Sequence, residues 1–255
     1  MLIWPTSIML ILILASSAAG AIFVDDDGAG NFTKIQEAIN ASNTGDEIVV
    51  WNGTYSENLL VDRSIVLRGV GDPVIRGSGL STPLISISSE NVTLEGFTFS
   101  GGLNKSFDSG AVLVHADRCK ILNNSIYGSA GQGLNLRDSK DHLVSGNRVH
   151  DNRYGGVCLH DVSSSRVAEN LAFRNGKWGV TLEDCGYNGL TANEIRENGE
   201  VGVHVVNSIG NEISVNMIGS NSEDGIYLSD SKSNVVMDNE ILDNDLNGVN
   251  LQSSS

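Results

Sequence analysis

Gly156-Val157-Cys158-Leu159-His160-Asp161 opens a stretch that runs to Trp178, and Gly179-Val180-Thr181-Leu182-Glu183-Asp184 opens the next, which runs to Val201. The two stretches are 23 residues long and agree in phase: glycine first, apolar residues second and fourth, asparagine fifteenth (Asn170, Asn193) and twentieth (Asn175, Asn198). Working outward, the same phase starts at Gly110, Gly133, Gly202 and Gly225, and a seventh unit opens at Gly248. The fifteenth place is Asn124, Asn147, Asn170, Asn193, Asn216 and Asn239. Further apolar columns fall at the twelfth place (Ile121, Val144, Val167, Leu190, Ile213, Val236) and the seventeenth (Ile126, Val149, Ala172, Ile195, Ile218, Ile241). Each unit therefore reads as three short strands, the first with in-out-in alternation, and the spacing predicts six units without an insertion. In that register Ala111 and Leu113 face inward, and Val112 and Val114 outward.

Three strands and polar corners in 23 residues suit one coil of a parallel β-helix, in which each coil hydrogen-bonds to the next and buries its inward side chains against it. The expected fold is all-β: a single-stranded right-handed parallel β-helix. A leucine-rich horseshoe has a similar period but needs a helix or a leucine-dense convex side. The corner segments here are instead rich in Asn, Asp and Gly, which satisfy backbone groups and accept left-handed geometry. Asparagines in register can also bond amide to amide along the axis, so the fifteenth-place column is read as a structural ladder.

The chain has 255 residues, 29 glycines, 3 prolines and a formal net charge of −15. That charge excludes nucleic acid as a partner, because a phosphate backbone is bound by basic surface. It also disfavours polyanionic glycans unless cations bridge them. Residues 1–24 carry no charged side chain, and Ile8 to Leu14 leads into Ala19-Gly20-Ala21. Residues 1–21 thus read as a signal peptide cleaved before Ile22, with an uncleaved anchor as the alternative. Six N-x-S/T sequons, at Asn31, Asn40, Asn52, Asn91, Asn104 and Asn123, agree with export. Cys119, Cys158 and Cys185 occupy different places in three coils, so no disulfide is expected.

Residues 22–109 differ from the regular array of 110–255. Phe32 to Ile39 puts Thr33 and Gln36 at capping-box spacing with Ile35, Ala38 and Ile39 on one face, predicting a short helix that closes the open end of the coils. Strands are expected at Ile48 to Val50, Ile65 to Leu67, Ile85 to Ile87, Val92 to Leu94 and Phe97 to Phe99. The run Phe32-x2-Ile35-Gln36-x-Ala38-Ile39, then Gly45-Asp46-x-Ile48-x-Val50, Gly53-Thr54-Tyr55-x-Glu57-Asn58 and Leu67-Arg68-Gly69, resembles the opening of archaeal and bacterial secreted right-handed parallel β-helix proteins. The later coils resemble the repeats of NosD-type periplasmic copper-binding proteins and of the wider carbohydrate-binding and sugar-hydrolase group. That resemblance implies the β-helix fold and a location that is secreted, periplasmic or at the cell surface. It implies no one activity, because the fold hosts lyases, hydrolases, epimerases, adhesins and surface-layer proteins. The Asp-Asp, His and basic motifs of polygalacturonases are missing, and only His160-Asp161 echoes the Asp-Pro-His-Asp run of mannuronan epimerases.

Chemistry is expected on the outward places of the first strand, where successive coils set side chains about 4.8 Å apart. The fifth place brings Arg137, His160 and Glu183 into one row, beside Asn135, Cys158, Thr181, His204 and Tyr227 of the third. In an enzyme, His160 and Glu183 would exchange a proton with substrate while Arg137 holds a carboxylate, which suits uronate chemistry. Asn135, Thr181, His204 and Tyr227 are the candidate ligand-binding residues. Cys158, His160, Glu183 and His204 offer donors that copper or zinc accepts. The sixth place, Asp138, Asp161, Asp184 and Asp230, reads either as capping its corners or as a calcium-type cation column. A ladder of complementary surface charges is the alternative to all of these.

No closing segment follows the last strand in this sequence, so the expectation is either that the sequence is a piece of a longer surface protein or that this end is completed by self-association or a partner. The sequence thus predicts an extracellular or cell-surface β-helix module, non-catalytic and either carbohydrate-binding or structural, with a cell-envelope polysaccharide as partner. A polysaccharide lyase, hydrolase or epimerase is the first alternative. A NosD-like copper-related protein is the second.

Overall fold

The computed structural model describes residues 20–79, 82–103 and 109–255. The expected signal peptide, up to residue 19, and the sequon at Asn104 lie outside the described residues. Three parallel sheets of ten, nine and nine strands run the length of the chain, and each strand pairs with its equivalent in the coil before and after. The front sheet collects the opening strand of each coil, including Gln132–Lys140, Val157–Ser163, Val180–Glu183, Val203–Val206 and Ile226–Ser229. This is the all-β parallel β-helix that the repeat predicts.

Inward columns fill the interior. Leu136, Leu159, Leu182, Val205 and Leu228 stack from the front sheet, facing Val144, Val167, Leu190 and Ile213 from the second sheet and Val149, Ala172, Ile195 and Ile218 from the third, all buried. The glycine that opens each coil is fixed by space rather than by backbone angle. A Cβ on Gly202 would lie 2.6 Å from Gly225 O, 2.7 Å from Ile218 Cγ2 and 2.8 Å from Asn221 Nδ2. Contacts that short force the wall or the ladder apart.

Asparagine ladders hold the corners. Asn147 Nδ2 and the Asn147 amide donate to Asn170 Oδ1 at 2.9 and 3.0 Å, and the pattern repeats from Asn170 to Asn193 and from Asn193 to Asn216. Each Nδ2 also reaches a carbonyl of the preceding coil, as Asn170 does at Val144 O, 3.0 Å. A second ladder runs from Asn152 through Asn244. A third, at the tenth place, runs through Asn188, Asn211 and Asn234.

Two expectations need correction. In the first regular coil Val112 pairs with Leu134 and Val114 with Leu136, so Val112 and Val114 point inward and are fully buried, while Leu113 faces outward. The interval there is 22 residues, and phase is restored by Lys120, which pairs with Leu143. Packing decides the register: Val112 and Val114 also sit over Ile85 and Ile87, where an inward Ala111 would leave a void.

The helix Ile35–Ala41 forms as expected and buries Ile35, Ala38 and Ile39, but its N-terminus has no capping box. The Glu57 carboxylate accepts from the amides of Ile35 and Gln36 instead, at 2.9 and 3.0 Å. Gln36 is used elsewhere. Its amide donates to Leu60 O at 3.1 Å and accepts from Leu60 N at 2.8 Å, so one side chain stands in for the missing neighbour of the edge strand Leu59–Val61.

Candidate functional site

Pairing along the front sheet sets Arg137 beside His160 and His160 beside Glu183, with Asn135, Cys158, Thr181, His204 and Tyr227 in the adjacent column. Arg137, His160, Glu183, Asn135, Cys158 and Thr181 line one pocket of about 290 Å³, counting its open mouth, together with Gln132 and Trp178. His204 and Tyr227 lie in a neighbouring depression of about 600 Å³ with Glu200, Glu223 and Asp224, and Trp178 borders both. The row read from the sequence is therefore one elongated outer surface divided by a tryptophan.

Within the pocket the groups engage one another. His160 Nδ1 lies 3.3 Å from Glu183 Oε2, and His160 Nε2 lies 3.5 Å from Asp161 Oδ2. The Cys158 thiol is buried and donates to Gln132 Oε1 at 3.1 Å. Burial pushes its pKa up to about 12, so the sulfur stays a thiol at neutral pH. Thr181 lies beside that thiol, only 5% exposed, and its hydroxyl completes no hydrogen bond of normal geometry.

The second depression is built on a stack. Trp178 and His204 lie ring on ring with centroids 4.8 Å apart and planes within 1°, and His204 and Tyr227 follow at 5.5 Å and 9°. The Tyr227 hydroxyl bonds Gln252 Oε1. Burial pushes the His204 pKa below its ordinary value, and its Nδ1 is buried without a partner. Facing one another, the rings present edges and polar tips outward rather than open faces. Opposite them, Glu200 pairs with Lys177 at 2.6 Å, and Asp224 accepts from the Asn247 amide and from Asn250.

His204 is not brought together with the other metal candidates. Two strand spacings, roughly 9–10 Å, separate it from Cys158, because Thr181 pairs with each of them. Among the described residues, the groups whose ligating atoms lie within 4.8 Å of one another are His160, Asp161 and Asp184, and Asp25, Asp26 and Asp27. The latter close a turn: Asp25 accepts from the Asp27 amide and Asp26 from the Thr54 amide. Asp138, Asp161, Asp184 and Asp230 have φ of 48°, 52°, 53° and 50°, so the sixth place is a left-handed corner, which Asp and Asn accept more readily than most side chains.

Sequence reasoning did not single out Glu200 and Glu223, although they stand 23 residues apart in one phase. Nor did it find the stack of Tyr127, His150 and Phe173 on the third sheet, at 5.1 and 4.7 Å, whose last ring is covered by the guanidiniums of Arg148, Arg174 and Arg196. Aromatic residues at 23-residue intervals were the available signal.

Residues 39–224 match the family described as "Periplasmic copper-binding protein (NosD)". The chain belongs to the NosD family. This NosD chain is 38% identical over 122 residues to a cell surface glycoprotein of Methanothermus fervidus, a match covering 47% of the chain and 20% of that protein. It thus spans about one fifth of the length of the curated relative it matches. Among solved structures, the Dettilon tailspike protein superposes on the NosD chain with a TM-score of 0.58 at 13% identity, covering 82% of this chain and 53% of its own. The periplasmic alginate epimerase AlgG gives 0.43 at 16% identity, with 83% and 61% covered. The tailspike likeness shows the fold alone. Family and relative together indicate a surface β-helix protein located outside the cytoplasm.

Proposed function

We propose that this protein is a non-catalytic cell-surface module that binds a carbohydrate along the outer face of its front sheet, from Arg137 to Tyr227. The observation that carries the reading is the long surface shared by two depressions, lined by polar tips, ring edges and the carboxylates of Glu200 and Glu223. Such a surface offers many hydrogen-bond acceptors and donors along a line, as a chain of hydroxyl-bearing sugars requires, and little enclosed apolar volume. The reactive types present are engaged with neighbours: His160 with Glu183 and Asp161, Tyr227 with Gln252, and Cys158 with Gln132.

A lyase, hydrolase or epimerase is the second reading. It draws on His160 and Glu183 at 3.3 Å with Arg137 lining the same pocket. Copper, which the family description names, finds no matching donor set in this row of described residues: its single thiol is buried and protonated, and His204 lies two strands away.

Screening the purified protein against neutral and acidic polysaccharides, recording both retention and products, tests these readings. Retention without product, lost in Trp178→Ala and Glu223→Gln, supports binding. An unsaturated, epimerised or shortened product that vanishes in His160→Ala moves the assignment to catalysis, and absence of any retention removes the carbohydrate reading.

A further inference from the structure

We propose that Asn31 is a site of N-linked glycosylation and that the first sugar of its glycan packs on the exposed rings of Phe23 and Trp51. Those rings stand on the outer face of the second sheet, where the strand Ala21–Val24 pairs with Glu47–Trp51. Phe23 is 41% and Trp51 43% exposed. Both line a depression of about 780 Å³, counting its open mouth, and Asp25, Gly30 and Asn31 line it with them. Large aromatic rings left open to water in a shared depression call for an occupant.

The acceptor amide is held in place. Asn31 Oδ1 accepts from the Phe23 amide at 2.9 Å, and the Asn31 amide donates to Phe23 O at 2.7 Å. Gly30 lets the turn lie this close, since a Cβ there would come within 2.7 Å of Phe23 O and 2.9 Å of Asp25 N. With its oxygen committed to the strand, the side chain keeps Nδ2 without a partner among the described residues. Thr33, whose hydroxyl completes the sequon, is exposed on the same turn.

The other described sequons are more closed. Ser42 of the Asn40 sequon is buried and donates to Ile39 O at 2.8 Å. Val92 and Asn124, the middle residues of the Asn91 and Asn123 sequons, are buried in the coil wall, and Asn123 Nδ2 turns to Glu95 Oε1 at 3.4 Å. The Asn52 sequon is clasped by Asp26, whose Oδ2 accepts from the Thr54 amide at 3.0 Å.

The transfer needs a sugar carried on a polyprenyl phosphate and a transferase that reads the sequon. Nδ2 bonds to the anomeric carbon, the bond from that carbon to the phosphate oxygen breaks, and the phosphate leaves with the electron pair. Nδ2 gives up one proton, and nothing is oxidised or reduced. Once attached, the sugar is held at high effective concentration over the rings, so stacking too weak to retain a free sugar suffices. Its C–H face meets the electron-rich ring faces, and its hydroxyls meet the Asp25 carboxylate at the rim. The inference does not rest on carbohydrate binding by the front sheet.

The test exports the protein from a host that glycosylates N-x-S/T sequons, with one of that host's own glycoproteins as positive control, and reads each sequon by peptide mass spectrometry. A hexose or N-acetylhexosamine mass on the Asn31 peptide is expected, and Thr33→Ala should lose it. Acrylamide quenching of tryptophan emission should be weaker than in wild-type protein from the same host lacking the transferase, because Trp51 is covered. An Asn31 peptide of unmodified mass overturns the proposal, whether or not another sequon carries sugar. So does a glycan on Asn31 that leaves quenching unchanged.

Discussion

Asn170 and Asn193, 23 residues apart in sequence, are joined by two hydrogen bonds to a single oxygen: the Asn170 amide and its Nδ2 both donate to Asn193 Oδ1, at 3.0 and 2.9 Å. Asn193→Leu strips both donors of this acceptor inside a buried corner and removes the bond that Asn193 Nδ2 donates to Val167 O at 2.9 Å. The expected loss is about 1–3 kcal/mol, from leaving buried polar groups unpaired. Thermal melts of Asn170→Leu and Asn193→Leu measure it; unchanged midpoints in both would remove the ladder as a source of stability.

Gly179 closes on the neighbouring coil as tightly as Gly202 does, with Ile195, Asn198 and Gly202 O in the way of any Cβ. Gly179→Ala should cost about 1–3 kcal/mol through overpacking. Gly189, where an added Cβ meets nothing within 4 Å, serves as the control. Equal melting temperatures for the two alanine variants would contradict the spatial argument.

Protonation provides a third check. His142 is buried, accepts from the Cys119 amide through Nδ1 at 3.2 Å, and lies 2.9 Å from Ser139 Oγ through Nε2. Desolvation depresses its pKa, as it does that of His204. The unfolded chain therefore binds more protons just below the ordinary histidine value of about 6.5, so this stabilisation is fully present above that value and is lost as pH falls below it toward the depressed folded-state value. His142→Asn keeps the column, since Asn188 and Asn211 occupy the same place, and it should flatten the acid side of the melting-temperature curve. An identical slope in the variant would assign the acid sensitivity to other groups.

Thiol chemistry gives a fourth. Burial pushes Cys119 up to about 11 and Cys158 and Cys185 up to about 12. Native protein at about pH 8 should leave iodoacetamide almost unreacted, because the thiolate is the reactive form. Denaturation should expose all three thiols. Rapid native labelling of Cys158 would show that its pocket opens.

The coils were legible because their signals recur: the apolar twelfth and seventeenth places and the fifteenth-place asparagines each repeat six times. Where the repeat is broken, local packing governs and periodicity is silent. Val112 and Val114 displaced Ala111 and Leu113 because volume over Ile85 and Ile87 outweighs phase. The third ladder was hidden by Cys119, His142 and Ser165, which occupy its column before the asparagines begin. Glu57, which caps the helix, lies 22 residues beyond Ile35 and carries no local signature. Sheet pairing fixed which outward residues meet, so the row Arg137, His160, Glu183 could be read directly. That Cys158 and Thr181 would be buried could not, because Trp178 and Gln132, which line the same pocket, come from the place before the glycine and look like loop.

The asparagine columns give the solenoid a grain. In every link the backbone amide and Nδ2 donate toward the higher-numbered coil, and the oxygen faces the lower-numbered one. Replacing one asparagine therefore injures its two neighbours unequally: the preceding residue loses its only ladder acceptor, whereas the following one still accepts from a main-chain amide that no substitution except proline removes. Disorder introduced at one coil should consequently spread more readily toward the helix-capped end than away from it, so that mechanical or thermal fraying of this rod has a preferred direction.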